Sequence, residues 1–449
     1  MLTLDEIAGV LEAQRLGGNT EFHAVSTDSR KITKGDLFVA LKGKNFDAAD
    51  FVSRAASDGA AAAMVERKVE SVIPLLIVKD TRLALGKLAS FWRSRFSIPV
   101  LAVTGSNGKT TVKEMLASIL KERGEVLATK GNLNNDIGLP LTLLDLRENH
   151  DYAVVEMGMN HPGEIAYLCK IARPDIALVT NAASAHLEGL GGSVYNVAKA
   201  KGEIFEGLKE TGIAIINADD VHAPLWRELA KGKQIVEFGL NAKADFTADH
   251  TLHEMESEIL MHTPQGEIGL KINVPGLHNV RNVLAAAAAA MSAGVDRDAV
   301  RKGLEKFTGV PGRMQRKPGK QGAFLVDDTY NANPDSVLAA ISWLAQREST
   351  MLIMGDMGEL GPDSMKLHAE MGKSAREAGI GMLLTLGKSS EESSKMFGNG
   401  AHHFEDIDAL VAKAESLLCP GMTVLVKGSR FMKMERVVEK LQEKDKACS

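Results

Sequence analysis

The chain reads as an α/β protein built from three modules, with boundaries expected at residues 1–97, 98–312 and 313–449. Three observations predict this. Short apolar runs alternate with stretches of helical periodicity along most of the sequence, the pattern of strands layered with helices. Two breaks, Ser94 to Pro99 and Thr308-Gly309-Val310-Pro311-Gly312-Arg313, interrupt that alternation where linkers belong. A length of 449 residues also gives room for about three domains of ordinary size, each able to bury a core.

Composition sets the outer bounds on function. Hydrophobic residues make up 45% of the chain and charged residues 25%, with a formal net charge of -5, the balance of a soluble globular protein. Mild acidity argues against a nucleic-acid binder, which needs a basic face, but leaves room for an anionic small substrate at a local basic site. Cys169, Cys419 and Cys448 are too few and too scattered for a disulfide framework or a metal cluster, so a reducing cytoplasm is expected. Met1-Leu2-Thr3-Leu4-Asp5-Glu6 has no basic-then-apolar leader pattern, and the longest apolar stretch, Val283 to Met291, is short and alanine-dominated. No membrane insertion is expected.

In the first module Asp36-Leu37-Phe38-Val39-Ala40-Leu41 reads as an apolar run, and Phe51 to Met64 as a stretch of helical periodicity. The loop Ser26-Thr27-Asp28-Ser29-Arg30 is rich in hydroxyls and carries a base ahead of a Lys34-Gly35-Asp36 turn. Alone, it reads as a solvated turn with a surface ion pair. The second module opens on Val103-Thr104-Gly105-Ser106-Asn107-Gly108-Lys109-Thr110-Thr111. An apolar strand precedes this loop, and Val112, Met115, Leu116, Ile119 and Leu120 follow at the spacing of an amphipathic helix. Strand, glycine loop and helix together form a phosphate cradle. Backbone N–H groups turn toward the anion, Lys109 can reach the terminal phosphates, and Thr110 can hold Mg²⁺. Val103 stands where the usual motif has its first glycine.

Ala153 to Val155, Ile176 to Val179 and Ile213 to Ile216 read as further strands of a mostly parallel sheet, whose ligands sit beyond the strands' carboxyl ends. Glu156 lies at such an end and can meet Mg²⁺ directly or through water, or serve as a cap. His186, beyond the next strand, reads as a metal ligand or a surface residue. Between Ser193 and Leu208, Lys201 falls on the apolar stripe with Val194, Val197, Ala198, Ile204, Phe205 and Leu208. Lys199 falls on the polar side with Tyr195, Gly202 and Glu206. An inward lysine must snorkel, pair or be chemically changed. From Gln234 to Val274 apolar and polar residues alternate, which suggests antiparallel strands. Pro275-Gly276-Leu277-His278-Asn279-Val280-Arg281-Asn282 leads into an alanine-rich helix, and Asn279 and Asn282 share one face that can address a base or a phosphate.

Strands of the third module are expected near Phe324 to Val326, Met351 to Met354, Met382 to Leu386 and Thr423 to Val426. Polar sequences close three of them: Asp327-Asp328-Thr329-Tyr330-Asn331-Ala332-Asn333-Pro334, Gly355-Asp356-Met357-Gly358-Glu359-Leu360-Gly361 and Lys427-Gly428-Ser429-Arg430. Each alone could be a turn with capping residues. Three on successive strands suggest a binding rim.

Laid out in this order, the residues resemble the Mur ligase family of ATP-dependent amide-forming enzymes over essentially the full chain. The resemblance is carried by Thr104 to Thr111, Glu156, Asn181 with His186, Ala200-Lys201-Gly202-Glu203-Ile204-Phe205, Gly276-Leu277-His278-Asn279, Pro311-Gly312-Arg313 and the Asp328 strand end. The third-module sequences, with His368, resemble the members that act on UDP-N-acetylmuramoyl-tripeptide and D-alanyl-D-alanine. Phe46-Asp47-Ala48-Ala49-Asp50-Phe51 departs from the family's usual Asp-Gly-His.

The resemblance implies a small α/β domain for the UDP-sugar, a central P-loop ATPase domain, and a Rossmann-like C-terminal domain that binds the incoming dipeptide and closes on ATP. It also implies a monomer. Gly105, Ser106, Asn107, Gly108, Lys109, Thr110 and Thr111 would hold ATP together with Asn279, Asn282, Arg313 and Asp328. Thr110 and Glu156 would serve one Mg²⁺, and His186 and Lys201 a second, with Lys201 as a carbamate. Ser26, Asp28, Ser29 and Arg30 would hold the UDP end. Tyr330, Asn331, Lys427, Ser429 and Arg430 would line the peptide end.

Overall fold

The computed structural model describes residues 2–43, 46–184 and 188–443. The N-terminal sheet has five strands in the order Gln14–Leu16, Leu75–Ile77, Ala62–Val65, Asp36–Val39, Ala24–Ser26. The first pair is antiparallel and the rest parallel. The stretch expected to be helical from Phe51 to Met64 divides into a helix, Val52–Ser57, and the buried strand Ala62–Val65. Gly59, at φ +102°, turns the chain between them, a conformation that side chains other than glycine's rarely adopt.

Helix Thr81–Arg93 begins at Asp80, whose carboxylate accepts the Leu83 N–H. It packs on helices Gly138–Leu144 and Glu164–Ala172, so one apolar core runs from the first module into the second. The Ser94 to Pro99 break is correspondingly tied down. The buried Arg93 guanidinium donates to the carbonyls of Ala172, Phe96 and Ile98 at 3.1, 2.5 and 3.3 Å.

The central sheet is six-stranded and parallel throughout, in the order Gln234–Phe238, Ile213–Asn217, Ile176–Val179, Val100–Thr104, Tyr152–Glu156, Val126–Ala128. Gln234–Phe238 therefore differs from the antiparallel expectation. It is a half-exposed edge strand, so its polarity alternates as an antiparallel surface strand's would. The alternating pattern does describe Thr247–Leu252, Ser257–Thr263 and Gly266–Ile272, which form a separate antiparallel sheet. Helix Leu277–Ser292 buries all of Ala285 to Ala290, and these small side chains let it pack against the P-loop helix Lys109–Leu120.

In the third module the strand order is Gln315–Pro318, Phe324–Asp328, Thr423–Lys427, Thr350–Gly355, Met382–Leu386, Ala401–Phe404. Only the first pairing is antiparallel. The four expected strands form the interior, and two polar edge strands flank them. Apolar clusters cover both faces of this sheet. Its carboxyl ends, at Asp328 and Lys427, face those of the central sheet across one cleft.

Candidate active site

The P-loop strand Val100–Thr104 is wholly buried at an interior position of the central sheet. Gly105 leaves it at φ +149°, where an added Cβ would lie 1.8 Å from the Thr180 hydroxyl oxygen. Only glycine lets the loop pass that close. The loop is braced by the segment beyond Ile176–Val179. Ser106 donates its N–H to the Asn181 carbonyl and Asn107 donates its N–H to the Asn181 side chain, both at 2.9 Å. The Thr180 hydroxyl donates to the Asn107 carbonyl at 2.6 Å.

Lys109 curls over this loop and donates to the carbonyls of Gly105 at 2.7 Å and Ser106 at 3.3 Å. Although Lys109 is half-buried by area, its ammonium lies deep in the cleft. Burial lowers its pKa, Glu156 opposes that shift, and Arg313 reinforces it. The Thr110 hydroxyl donates to one oxygen of the buried Glu156 carboxylate at 2.9 Å, and the Asn134 amide donates to the other at 2.7 Å. Lys201 is 1% exposed in helix Val194–Glu206, while Lys199 is exposed. Among the described residues the Lys201 ammonium makes no hydrogen bond or ion pair. Burial, aided by the charge of Lys109, drives its pKa well below the ordinary lysine range. Gly202, expected on the polar side, is buried because the next helix packs over it. A Cβ there would meet Leu229 at 2.3 Å and Trp226 at 3.1 Å.

Beside this cluster a cavity of about 380 Å³ is walled by the central and third modules together. Asn107, Gly108 and Thr111 meet Asn279, Asn282, Arg313 and Asp328 there. The two asparagines are oriented from within their own helix, since Asn282 donates to Asn279 and Asn279 donates to the Pro275 carbonyl. Arg313 stacks over the Tyr330 ring at 4.2 Å, and its Nε is buried without a partner among the described residues. Lys427, expected at the peptide end, instead lines this cavity. Its ammonium donates to Asp328 at 2.6 Å, and Asp328 in turn accepts the Met314 N–H. The strand ends Phe324–Asp328 and Thr423–Lys427 are hydrogen-bonded neighbours, and that register forces the pairing.

The rest of the expected peptide end is divided. Tyr330 is half-buried beneath Arg313, and Arg430 is exposed and paired with Glu435 at 3.0 Å. Asn331 is exposed, and its backbone carbonyl accepts from Lys427. Ser429 is buried and joins two loops, donating to the Ala332 carbonyl and accepting the Gly358 N–H. His368 is also internal. Its Nε2 accepts the Met357 N–H at 2.9 Å while Nδ1 donates to the Ser364 carbonyl.

A second cleft, of about 390 Å³, lies between the first and central modules. Ser26, Thr27, Asp28 and Lys31 face Lys130 and Thr142 across it. Ser29 and Arg30 do not line it. Arg30 is exposed and folds back on Asp28 with two 2.9 Å hydrogen bonds, which hold the Asp28 carboxyl down to about 2. His186 lies outside the described residues. Asn134 and Thr129 are site residues that the sequence reading misses. Their signal is the polar run Thr129 to Asp136 after Val126–Ala128, a strand of three residues that is easily passed over. Among the described residues no three His, Cys, Asp or Glu side chains gather as a ready-made metal site.

A glycine loop between a parallel strand and its helix, facing a second, mostly parallel sheet across a cleft, is the architecture of a nucleotide-binding α/β protein. Family models match three successive stretches: "Mur ligase family, catalytic domain" over residues 21–93, "Mur ligase middle domain" over 103–290, and "Mur ligase, glutamate ligase domain" over 312–430. The chain belongs to the Mur ligase family. It is 46% identical, over 98% of each chain, to the UDP-N-acetylmuramoyl-tripeptide--D-alanyl-D-alanine ligase of Escherichia coli (strain K12). Among solved structures, it resembles MurF from Acinetobacter baumannii with a TM-score of 0.93 at 37% identity, over 98% of each chain. It also resembles the MurF ligase from Thermotoga maritima in complex with ADP, with a TM-score of 0.83 at 31% identity over 93% of this chain and 96% of that one. No helix among the described residues is long and apolar enough to cross a membrane.

Proposed function

We propose that this chain is an ATP-dependent ligase that joins D-alanyl-D-alanine to UDP-N-acetylmuramoyl-tripeptide in the cytoplasm, giving the UDP-muramoyl-pentapeptide of peptidoglycan synthesis. The observation that carries the reading is the cluster of Lys109, Thr110 and Glu156 beside the cavity that Arg313 and Asp328 line, in a chain that resembles such ligases along its whole length. A carboxylate acylates poorly because its leaving group would be oxide. An oxygen of the tripeptide carboxylate attacks the γ-phosphorus of ATP, the bond to the β-phosphate oxygen breaks, and ADP leaves an acyl phosphate. The dipeptide amine adds to the acyl carbon, and the tetrahedral intermediate expels phosphate as the nitrogen loses its proton. The protein's task is charge neutralisation and alignment.

Lys109 and the Gly105 to Gly108 backbone hold the β- and γ-phosphates. Asn279, Asn282 and Arg313 hold the nucleotide in the cavity between the central and third modules. Residues 1–97 take the UDP end at the Ser26–Asp28 cleft, residues 98–312 carry ATP, and residues 313–449 present the dipeptide. Thr110 and Glu156 fit a hard divalent cation, since both offer oxygen and Asn134 leaves the carboxylate's remaining lone pairs free. Lys201, buried and without a hydrogen-bond or ion-pair partner among the described residues, fits a carbamate, which would turn the amine into an anionic oxygen ligand for a second ion; the family resemblance assigns His186 to the same ion. When bound, Mg²⁺ offsets the charge of the phosphate oxygens.

A phosphate-release assay with each component withheld tests the reading. Release should require ATP, Mg²⁺, UDP-N-acetylmuramoyl-tripeptide and D-alanyl-D-alanine together. Release without the dipeptide would mark a simple NTPase. Equal turnover of a free amino acid on the shorter UDP-muramoyl-dipeptide would mark the sibling ligase.

A further inference from the structure

Lys113 lies one turn beyond Thr110 in the P-loop helix and is fully buried, yet it lines neither cleft. Its ammonium donates to the Thr129 carbonyl at 2.6 Å and pairs with its helix neighbour Glu114 at 2.5 Å. Thr129 is buried as well, and its hydroxyl oxygen accepts the backbone N–H of Glu156 at 3.0 Å. The P-loop helix thus grips Glu156 twice. Thr110 binds the carboxylate directly, and Lys113 acts on the backbone of the same residue through Thr129.

A buried ammonium is a poor choice if packing alone were at stake, because an apolar side chain of the same length would fill the space without desolvating a charge. The Thr129 carbonyl also opens the polar run whose Asn134 holds the other Glu156 oxygen and whose Lys130 and Leu133 line the cleft between the first and central modules. We infer that Lys113 is a positioning residue for the metal-binding carboxylate, setting Glu156 through Thr129 and tying the phosphate loop to the wall of the sugar-nucleotide cleft. The inference rests on the reading that Glu156 holds Mg²⁺.

The test measures ADP binding by calorimetry on the full chain, with EDTA and with MgCl₂, for wild type, K113M, T129V, the double variant and E156Q. Partners of this kind typically change metal affinity by about 10- to 100-fold. In EDTA, ADP affinity of K113M should stay within about twofold of wild type, while its melting temperature should fall by a few degrees because the buried Thr129 carbonyl loses its donor. The gain in ADP affinity conferred by Mg²⁺ should shrink about tenfold, and half-saturating Mg²⁺ for turnover should rise about tenfold while kcat at saturating Mg²⁺ largely recovers. T129V should behave alike, and the double variant should be no worse than the poorer single one. Equal loss of ADP affinity with and without Mg²⁺, or additive effects of K113M and T129V, would overturn the inference. An E156Q protein that keeps the full Mg²⁺ gain would instead remove the metal reading itself, and the inference with it.

Discussion

Lys201 shows how much one side chain's position can say. Helical spacing alone separates it from Lys199, and the structure buries the one and exposes the other. Burial leaves an amine that holds its proton weakly, and a neutral amine is the form that adds to CO₂. If Lys201 works as a carbamate, K201M should lower kcat/KM by about 100-fold, the upper range for groups that tune a metal site. It should not lower the melting temperature, because a buried group without a partner among the described residues is replaced by an apolar one of similar volume. Bicarbonate depletion should depress wild-type turnover reversibly and leave the residual activity of K201M untouched. Wild-type rates indifferent to bicarbonate, together with a K201M rate within twofold of wild type, would end the carbamate reading.

At the scale of elements, legibility followed burial. Interior parallel strands such as Val100–Thr104 and Ile176–Val179 are apolar throughout and can be read from the chain alone. Edge strands are polar, and Gln315–Pro318 and Ala401–Phe404 carry no periodic signal for that reason. Site residues divide the same way. The place of Glu156 is legible because it ends a buried apolar strand, although a cap would fit the same pattern. Arg30, Lys427 and Ser429 are not, because a loop side chain's direction is set by contacts made far along the sequence, as when Lys427 turns to Asp328. That pair joins two strand ends and supports a measurable claim. Breaking a buried ion pair from one side costs about 3–5 kcal/mol, since the remaining charge is stranded. D328N should therefore lower the urea-unfolding stability of the third module by about 3 kcal/mol, and D328N/K427M should recover most of it while nucleotide binding stays impaired. Equal stability of the two variants would show that the ammonium is satisfied by the Asn331 carbonyl alone.

Across the whole molecule, the cleft exists because the third module is docked on the second. Among the described residues, hydrogen bonds outside the linker join the two modules. Asn333 donates to the Asn107 side chain at 2.9 Å, the Ser184 N–H donates to Asp335 at 2.9 Å, and Arg347 donates to the Glu254 carbonyl at 3.0 Å, with Met255 packed against the third module's core. Arg313 and Asp328 reach the cavity only in this arrangement, so on the proposed reading, in which the cavity takes ATP, closure and nucleotide affinity are coupled. Each such hydrogen bond contributes about 1 kcal/mol, so removing one should raise the KM for ATP about fivefold through the closed population. D335A tests this at the cavity wall and R347A tests it at the far rim, where the side chain lines no part of the cavity. Both variants should show a larger radius of gyration in solution scattering without nucleotide, and saturating ATP with Mg²⁺ should return both to the compact value. If D335A raises KM while R347A does not, Asp335 acts by touching the ligand, and the docking of the two modules does not govern affinity.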